Sequence, residues 1–387
     1  MGKTATAAAE TGLMRDHFPI LAHTTYVNAC SHGALSREVE AAYHAYLARR
    51  HEVGADWDGW VALQEEVRAL FARLVGAEPD EIAIATSASA ALDSLVSALK
   101  PEPGRNRIVL SDYEFPTVGQ IWHAQIPRGF EIVRVREDAD NRIPLARFAE
   151  AIDERTAVVS IAHVCYRHGG VNRVREIAEL AHAAGAIVVL DAYQALGQIP
   201  VDVRALGVDA LIGGALKYLL ASAGLGFLYV RRGLVERLSP YVTGWFAQAD
   251  IAAMDPWHHE PAPSARRFET GTPPVPNLHA GKAGLELVLS LGLARIAAAI
   301  DRLTTRLVEE LGELGAQIAT PLGKGEHGAL IAVRSRDPEA LVARLKGERI
   351  ITSSRDGNLR ISPHFYNDED DIARLITALA RHRDLLA

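Results

Sequence analysis

The sequence predicts an α/β protein: a mostly parallel central sheet with helices on both faces, followed by a smaller α+β C-terminal domain. Three observations predict it. From about 80 to 230, short and fully apolar runs alternate with segments of helical periodicity, the pattern of strands buried on both faces of a sheet. The chemically capable residues of that span fall at or just after the C-terminal ends of the runs, where open α/β sheets take their ligands. After Val230 the alternation stops, and a polar, proline-studded segment over 266–274 leads into a long helical region and short strands. The expected division is an N-terminal arm over 1–25, a large α/β domain over 26–265 and a small α+β domain over 266–387.

Composition narrows the class. A chain of 387 residues, 49% hydrophobic and 23% charged, is ordinary for a globular protein. A formal charge of −7 leaves no basic footprint for nucleic acid. No apolar run approaches a membrane span, and the opening MGKTATAAAETG lacks the apolar centre of a secretory signal. Met1-Gly2 with Thr6 fits only the loose myristoylation pattern. Cys30 and Cys165 have no CxxC spacing, so neither a disulfide framework nor a cysteine-rich zinc site is indicated. A cytoplasmic protein with reduced thiols and no metal is expected.

Taken in order, the first candidate is 26–33, where a short strand runs through Asn28, Ser31 and His32 toward a helix capped near Ser36; an ordinary loop and cap reads the same way. The helical region up to Val75 carries Trp57 and Trp60, which fit buried packing as well as a ligand contact. The strand 81–85 passes straight into Thr86, Ser87, Ala88 and Ser89. A helix follows with Leu92, Leu95, Val96 and Leu99 on one face. A hydroxyl-rich turn at a helix N-terminus favours a phosphate, although Ser87 or Ser89 would serve equally as a plain N-cap. The strand 107–111 leads to Phe115, an aromatic that would stack on a flat ligand or fill the core. The strand 157–162 delivers His163, Cys165, Tyr166 and His168. A metal site there is disfavoured, because no ligand pair has the right spacing. A helix near 174–184 ends at Gly185 and returns the chain to the strand 187–191.

That strand ends in Asp191. The next apolar run, 209–212, ends in Gly213-Gly214-Ala215-Leu216-Lys217. A carboxylate closing one buried strand and an amine just past the next suit a pyridine aldehyde, the acid holding the ring nitrogen and the amine carrying the aldehyde. Beyond 265 follow a helical region over about 277–314, a strand over 328–333, a helix opened by Asp337-Pro338, strands near Ile350 and at 359–361, and a last helix from near Asn367.

On these residues the chain resembles the fold type I pyridoxal-phosphate enzymes of the class V aminotransferase superfamily, in the branch of isopenicillin N epimerase, cysteine desulfurase and kynureninase. Asp191 with Gln194 looks like the family's DxxQ motif, and Lys217 matches the Schiff-base lysine. The resemblance implies pyridoxal 5'-phosphate as cofactor. Asp191 would then lie on the ring nitrogen, Gln194 on the phenolic oxygen, Ser87, Ala88 and Ser89 around the phosphate, Phe115 on the ring and His163 beside it. Thr272, within FETGTP, would reach a neighbouring subunit's phosphate, which implies a homodimer with shared active sites. Arg360, within LRISPH, would grip the substrate α-carboxylate, with Asn28, Ser31 and His32 facing the substrate. The implied chemistry runs through an external aldimine and a Cα carbanion, with Lys217 as the base.

The departures narrow the reaction. No cysteine follows Cys165, which disfavours a cysteine desulfurase. Leu216 stands where kynureninases have a tyrosine, and Gly214 where many relatives place a hydroxyl on the phosphate. Expected is cleavage at Cβ of an amino acid such as a cysteine S-conjugate, with transamination as the alternative and epimerisation or decarboxylating deamination further off. A non-catalytic binding protein would not need Asp191, Lys217 and Arg360 together. A nicotinamide enzyme lacks its GxGxxG.

Overall fold

The computed structural model describes residues 11–387. The first ten residues of the expected arm, with the Met1-Gly2-Thr6 pattern, lie outside the described residues. A short strand, β1 (Thr25–Tyr26), precedes two helices, α1 (Arg37–Val53) and α2 (Trp57–Val75), capped by Ser36 and Asp56. The alternating region follows as β2 (Ile82–Ala85), α3 (Ala88–Ala98), β3 (Arg107–Ser111), α4 (Pro116–His123), β4 (Glu131–Val135), α5 (Leu145–Ala151), β5 (Thr156–Ala162), α6 (Val174–Ala183) and β6 (Ile187–Asp191). It closes with α7 (Val203–Leu206), β7 (Ala210–Gly214), β8 (Gly226–Val230) and α8 (Arg232–Val235).

These strands form one seven-stranded sheet in the order β2-β8-β7-β6-β5-β3-β4. Every neighbouring pair is parallel except those made by β8, which runs antiparallel to both β2 and β7. The sheet separates two apolar cores. One gathers Phe71, Val109, Leu190 and Phe227; the other gathers Leu92, Trp122, Val189 and Leu228. Burial on both faces explains why the strands read as unbroken apolar runs. β4 escaped that reading because it is an edge strand, mostly part-exposed, with charges at Glu131 and Arg134.

The expected helix over 277–314 is two helices, α9 (Val275–Leu291) and α10 (Leu293–Glu313), bent 79° apart. Gly292 sits between them at φ +81°, a conformation that only glycine adopts without strain. α9 packs Leu278, Leu285 and Val288 into the same core as Phe71, whereas α10 turns Leu303, Leu307 and Leu311 toward a third core. That third core is roofed by β9 (Ile331–Arg334), α11 (Pro338–Gly347), β10 (Ile350–Ile351), β11 (Ser353–Arg355), β12 (Asn358–Ile361) and α12 (Glu369–Arg381). Strands β11-β12-β9 form an antiparallel sheet, and β10 pairs in parallel with β1. Among the described residues no single helix is long and apolar enough to cross a membrane. Trp57 is 43% exposed and packs edge-on against Trp60 and at a tilt against Trp245, so this aromatic group lies at the surface.

Candidate active site

The C-terminal ends of β2, β3, β5, β6 and β7 surround a cavity of about 280 Å³. Ser87, Ala88, Ser89, Phe115, Asp191, Gln194 and Lys217 all line it, so seven of the residues singled out from the sequence meet in one place. Tyr113, Thr117, Tyr166, Tyr193 and Leu216 line it too and were not assigned roles from sequence. Thr117 Oγ1 holds Ser89 Oγ at 2.9 Å. Tyr193 lies inside the DxxQ stretch, and its aromatic type at that spacing was the available signal.

Three strand ends set the chemistry. Asp191 closes β6 and is buried; its Oδ1 accepts the Tyr193 N–H at 2.9 Å, and its other oxygen accepts from no described residue. Burial raises its pKa, against the Tyr193 N–H and Lys217. A ring N–H⁺ delivered to the free oxygen would reverse that shift. The neighbouring acid Glu114 is half-buried, accepts from Ser111 Oγ and the Ala162 N–H at 2.8 Å each, and is pushed up to about 8 chiefly by burial of its carboxylate. Burial thus favours the neutral form of Glu114 at pH 7. Lys217 follows β7, its Nζ 4.5 Å from the Tyr193 ring centroid and 5.8 Å from that of Phe115. Burial lowers its ammonium to about 8; Arg360 and Arg355 push the same way, and Cys30 and Asp191 oppose. An amine that sheds its proton near neutrality can act as nucleophile and base.

At the start of α3, Ser87 is the N-cap, its Oγ accepting the Ala90 N–H at 3.0 Å. The preceding N–H groups are left for an anion. Phe115 is 42% exposed at the mouth and meets Tyr166 edge-on at 5.0 Å between centroids.

The remaining candidates lie outside the cavity lining. Arg360, on β12, is 4% exposed. It donates to Tyr166 O at 2.9 Å and to the Ser31 and Ser353 hydroxyls at 3.0 Å each, its Nε is buried without a partner, and no carboxylate among the described residues pairs with it. Asn28 bridges to Ser362 next to Arg360, and His32 is exposed with Nδ1 on Gly33 O at 2.8 Å. Neither lines the cavity. His163 is also outside the lining: its N–H donates to Asp191 O at 2.8 Å, its Nδ1 is buried without a partner, and burial lowers it to about 4, so the ring is neutral. Thr272 lies on an exposed turn away from the cavity.

Comparison with known proteins agrees with this arrangement. The family model of class-V aminotransferases matches residues 35–375. An uncharacterized aminotransferase, YcbU, of Bacillus subtilis is 34% identical, covering 95% of this chain and 96% of its own. The kynureninase of Deinococcus radiodurans is 29% identical, covering 96% and 93%. Among solved structures, the cysteine desulfurase of Thermococcus onnurineus superposes with a TM-score of 0.86 at 22% identity, over 95% of this chain and 96% of that one. The cystine C–S lyase C-DES does so at 0.85 and 23%, over 94% and 99%. These likenesses give the fold as fold type I.

The residues fit the cofactor this family carries. Asp191, with one carboxylate oxygen free, lines the same cavity as the low-pKa amine of Lys217, and Ala88 and Ser89 at the start of α3 form its wall. Bound there, pyridoxal 5'-phosphate supplies an aldehyde for an amine and a ring that withdraws electrons. The chain belongs to the class-V aminotransferase family of pyridoxal-phosphate enzymes.

Proposed function

We propose that the protein acts on a free α-amino acid, removing the Cα proton and then releasing a substituent from Cβ. The observation that carries the amino-acid reading is Arg360: a buried guanidinium with three neutral partners and no anion is costly unless a carboxylate arrives, and guanidinium binds carboxylate through two parallel hydrogen bonds. Arg360 orients the substrate, Asp191 holds the ring N–H, and the Lys217 amine takes the Cα proton. Cβ release is supported by the C–S lyase among the structural neighbours. Transamination is the second reading, favoured by the name of the Bacillus relative. In our reading the protein is not a desulfurase, because Cys30 and Cys165 are both buried and present no thiol to a substrate.

The two outcomes part by their products: transamination would keep the amino group as pyridoxamine phosphate, whereas Cβ release would give a keto acid and ammonia, with Lys217 moving the Cα proton in both. The test incubates the holoenzyme with a panel of L-amino acids and cysteine S-conjugates and measures keto acid, ammonia and pyridoxamine phosphate separately. Keto acid and ammonia in equal amounts support Cβ release. Stoichiometric pyridoxamine phosphate without ammonia would replace that reading with transamination.

A further inference from the structure

The Tyr193 hydroxyl, on the cavity wall, donates to no described residue. Tyr193 stands two residues after Asp191, and its ring lies beneath the Lys217 amine. The far end of that ring rests on Gly214, the last residue of β7. A Cβ added there would lie 2.5 Å from Cε2 and 2.6 Å from both Cζ and Oη. Side chains do not approach that closely, so the Tyr193 ring fills the space a side chain at 214 would need.

Strand register shows what lies beside it. Gly214 pairs directly with Gly226 on β8, and opposed residues of an antiparallel pair project to the same face. A Cβ on Gly226 would meet Ser87 C at 2.3 Å and Ala88 N at 2.7 Å. Two bare glycines therefore let the hydroxyl end of Tyr193 and the start of α3 settle side by side on one face of the sheet. Burial, with the charge of Asp191, pushes the Tyr193 pKa up to about 12. The hydroxyl thus keeps its proton, and the open direction for that proton is the cavity.

We propose that the Tyr193 hydroxyl donates to the cofactor phosphate, joining the free N–H groups at the start of α3 and standing in for the side chain that Gly214 cannot offer. This rests on the pyridoxal-phosphate reading of the cavity, which the test separates from it. The competing role for Tyr193 is that of a ring under the Lys217 ammonium, which phenylalanine would supply equally well.

The experiment titrates cofactor-free wild type and Tyr193→Phe with pyridoxal 5'-phosphate and with pyridoxal, following tryptophan fluorescence; melting curves confirm that both are folded. The expected result is that Tyr193→Phe loses roughly tenfold or more of the preference for the phosphorylated form, the range for a hydrogen bond to a charged group, while pyridoxal binds as before. Tyr193→Ala combined with Gly214→Ser, which returns a hydroxyl at the vacated place, should recover part of that preference. An unchanged preference in Tyr193→Phe, or an equal loss for both ligands, would overturn the proposal while leaving the cofactor reading intact. A wild type that binds neither ligand would overturn both.

Discussion

Lys217 destabilises the protein while no cofactor neutralises it. Its folded pKa of about 8 lies below the ordinary 10.5 because burial opposes the charge. Between those values the unfolded chain binds the extra proton, so stability rises with pH across that window and the full cost is felt below it. Cofactor-free Lys217→Met should therefore exceed cofactor-free wild type by about 3 kcal/mol at pH 7, and the gap should shrink by pH 10. Urea unfolding at the two pH values checks this; a pH-independent gap would mean that the gain is packing alone. At Arg360 the expected effect falls on substrate: Arg360→Ala should raise KM for amino acids about a hundredfold and leave the cofactor dissociation constant within a factor of two. Loss of both together would make Arg360 a structural residue. Asp191 and Lys217 were legible in the sequence because a charge at the end of an apolar strand is conspicuous. Tyr193 was not, since an aromatic next to such a strand reads as core until the bare Gly214 beneath it is seen.

The segment that leads to Thr272 is held by a buried ion pair. Glu269 accepts from Arg68 Nη1 at 2.5 Å, from the Ile84 N–H at 2.8 Å and from Gln64 Nε2 at 2.8 Å. One carboxylate thus ties α2, β2 and the exposed turn together, and β2 leads directly into the start of α3. Removing Glu269 leaves Arg68 with Glu65 alone and strands the buried Ile84 N–H and Gln64 amide, so Glu269→Ala should cost about 3 kcal/mol. Hydrogen exchange should show α3 opening before the rest of the sheet; uniform loss of protection would contradict the local role. The sequence marked FETGTP as a motif without this reason for it, because Arg68 lies far away in the chain. Strands with two buried faces were readable from their composition. The edge strand β4 and the break at Gly292 were not, since both depend on what the neighbouring elements leave uncovered.

Across the whole molecule, several large apolar side chains reach the surface: Trp57, Tyr241, Met254 and Trp257 are 43%, 67%, 69% and 86% exposed. Thr272 is exposed beyond the anchor at Glu269. We propose a two-fold dimer whose partner chain brings Thr272 to the phosphate. Lys217→Ala and Thr272→Asp chains, each inactive alone, should then recover about a quarter of wild-type activity when mixed and randomly paired. Proven hybrids without activity would count against a shared site. A domain division at 265 is less visible in the packing than in the sequence, because α9 and the first half of α10 add their apolar faces to the large core and only the second half of α10 joins the third core.

The thread through residues 25–33 has a consequence in time. Val27 and Ala29 exchange backbone hydrogen bonds with Ile351 and Ser362, Gln194 holds Cys30 O at 3.1 Å, and the Gly33 N–H reaches Leu216 O at 3.0 Å. The earliest-made part of the site is therefore finished by a segment synthesised more than three hundred residues later. The sheet that carries Asp191 and Lys217 can assemble from closer neighbours, but Ser31 and Arg360 meet only by closing a loop of more than three hundred residues, a slow event. Newly made chains should acquire cofactor before they acquire the capacity to hold an amino acid, and the interval between the two would time the final closure of the fold.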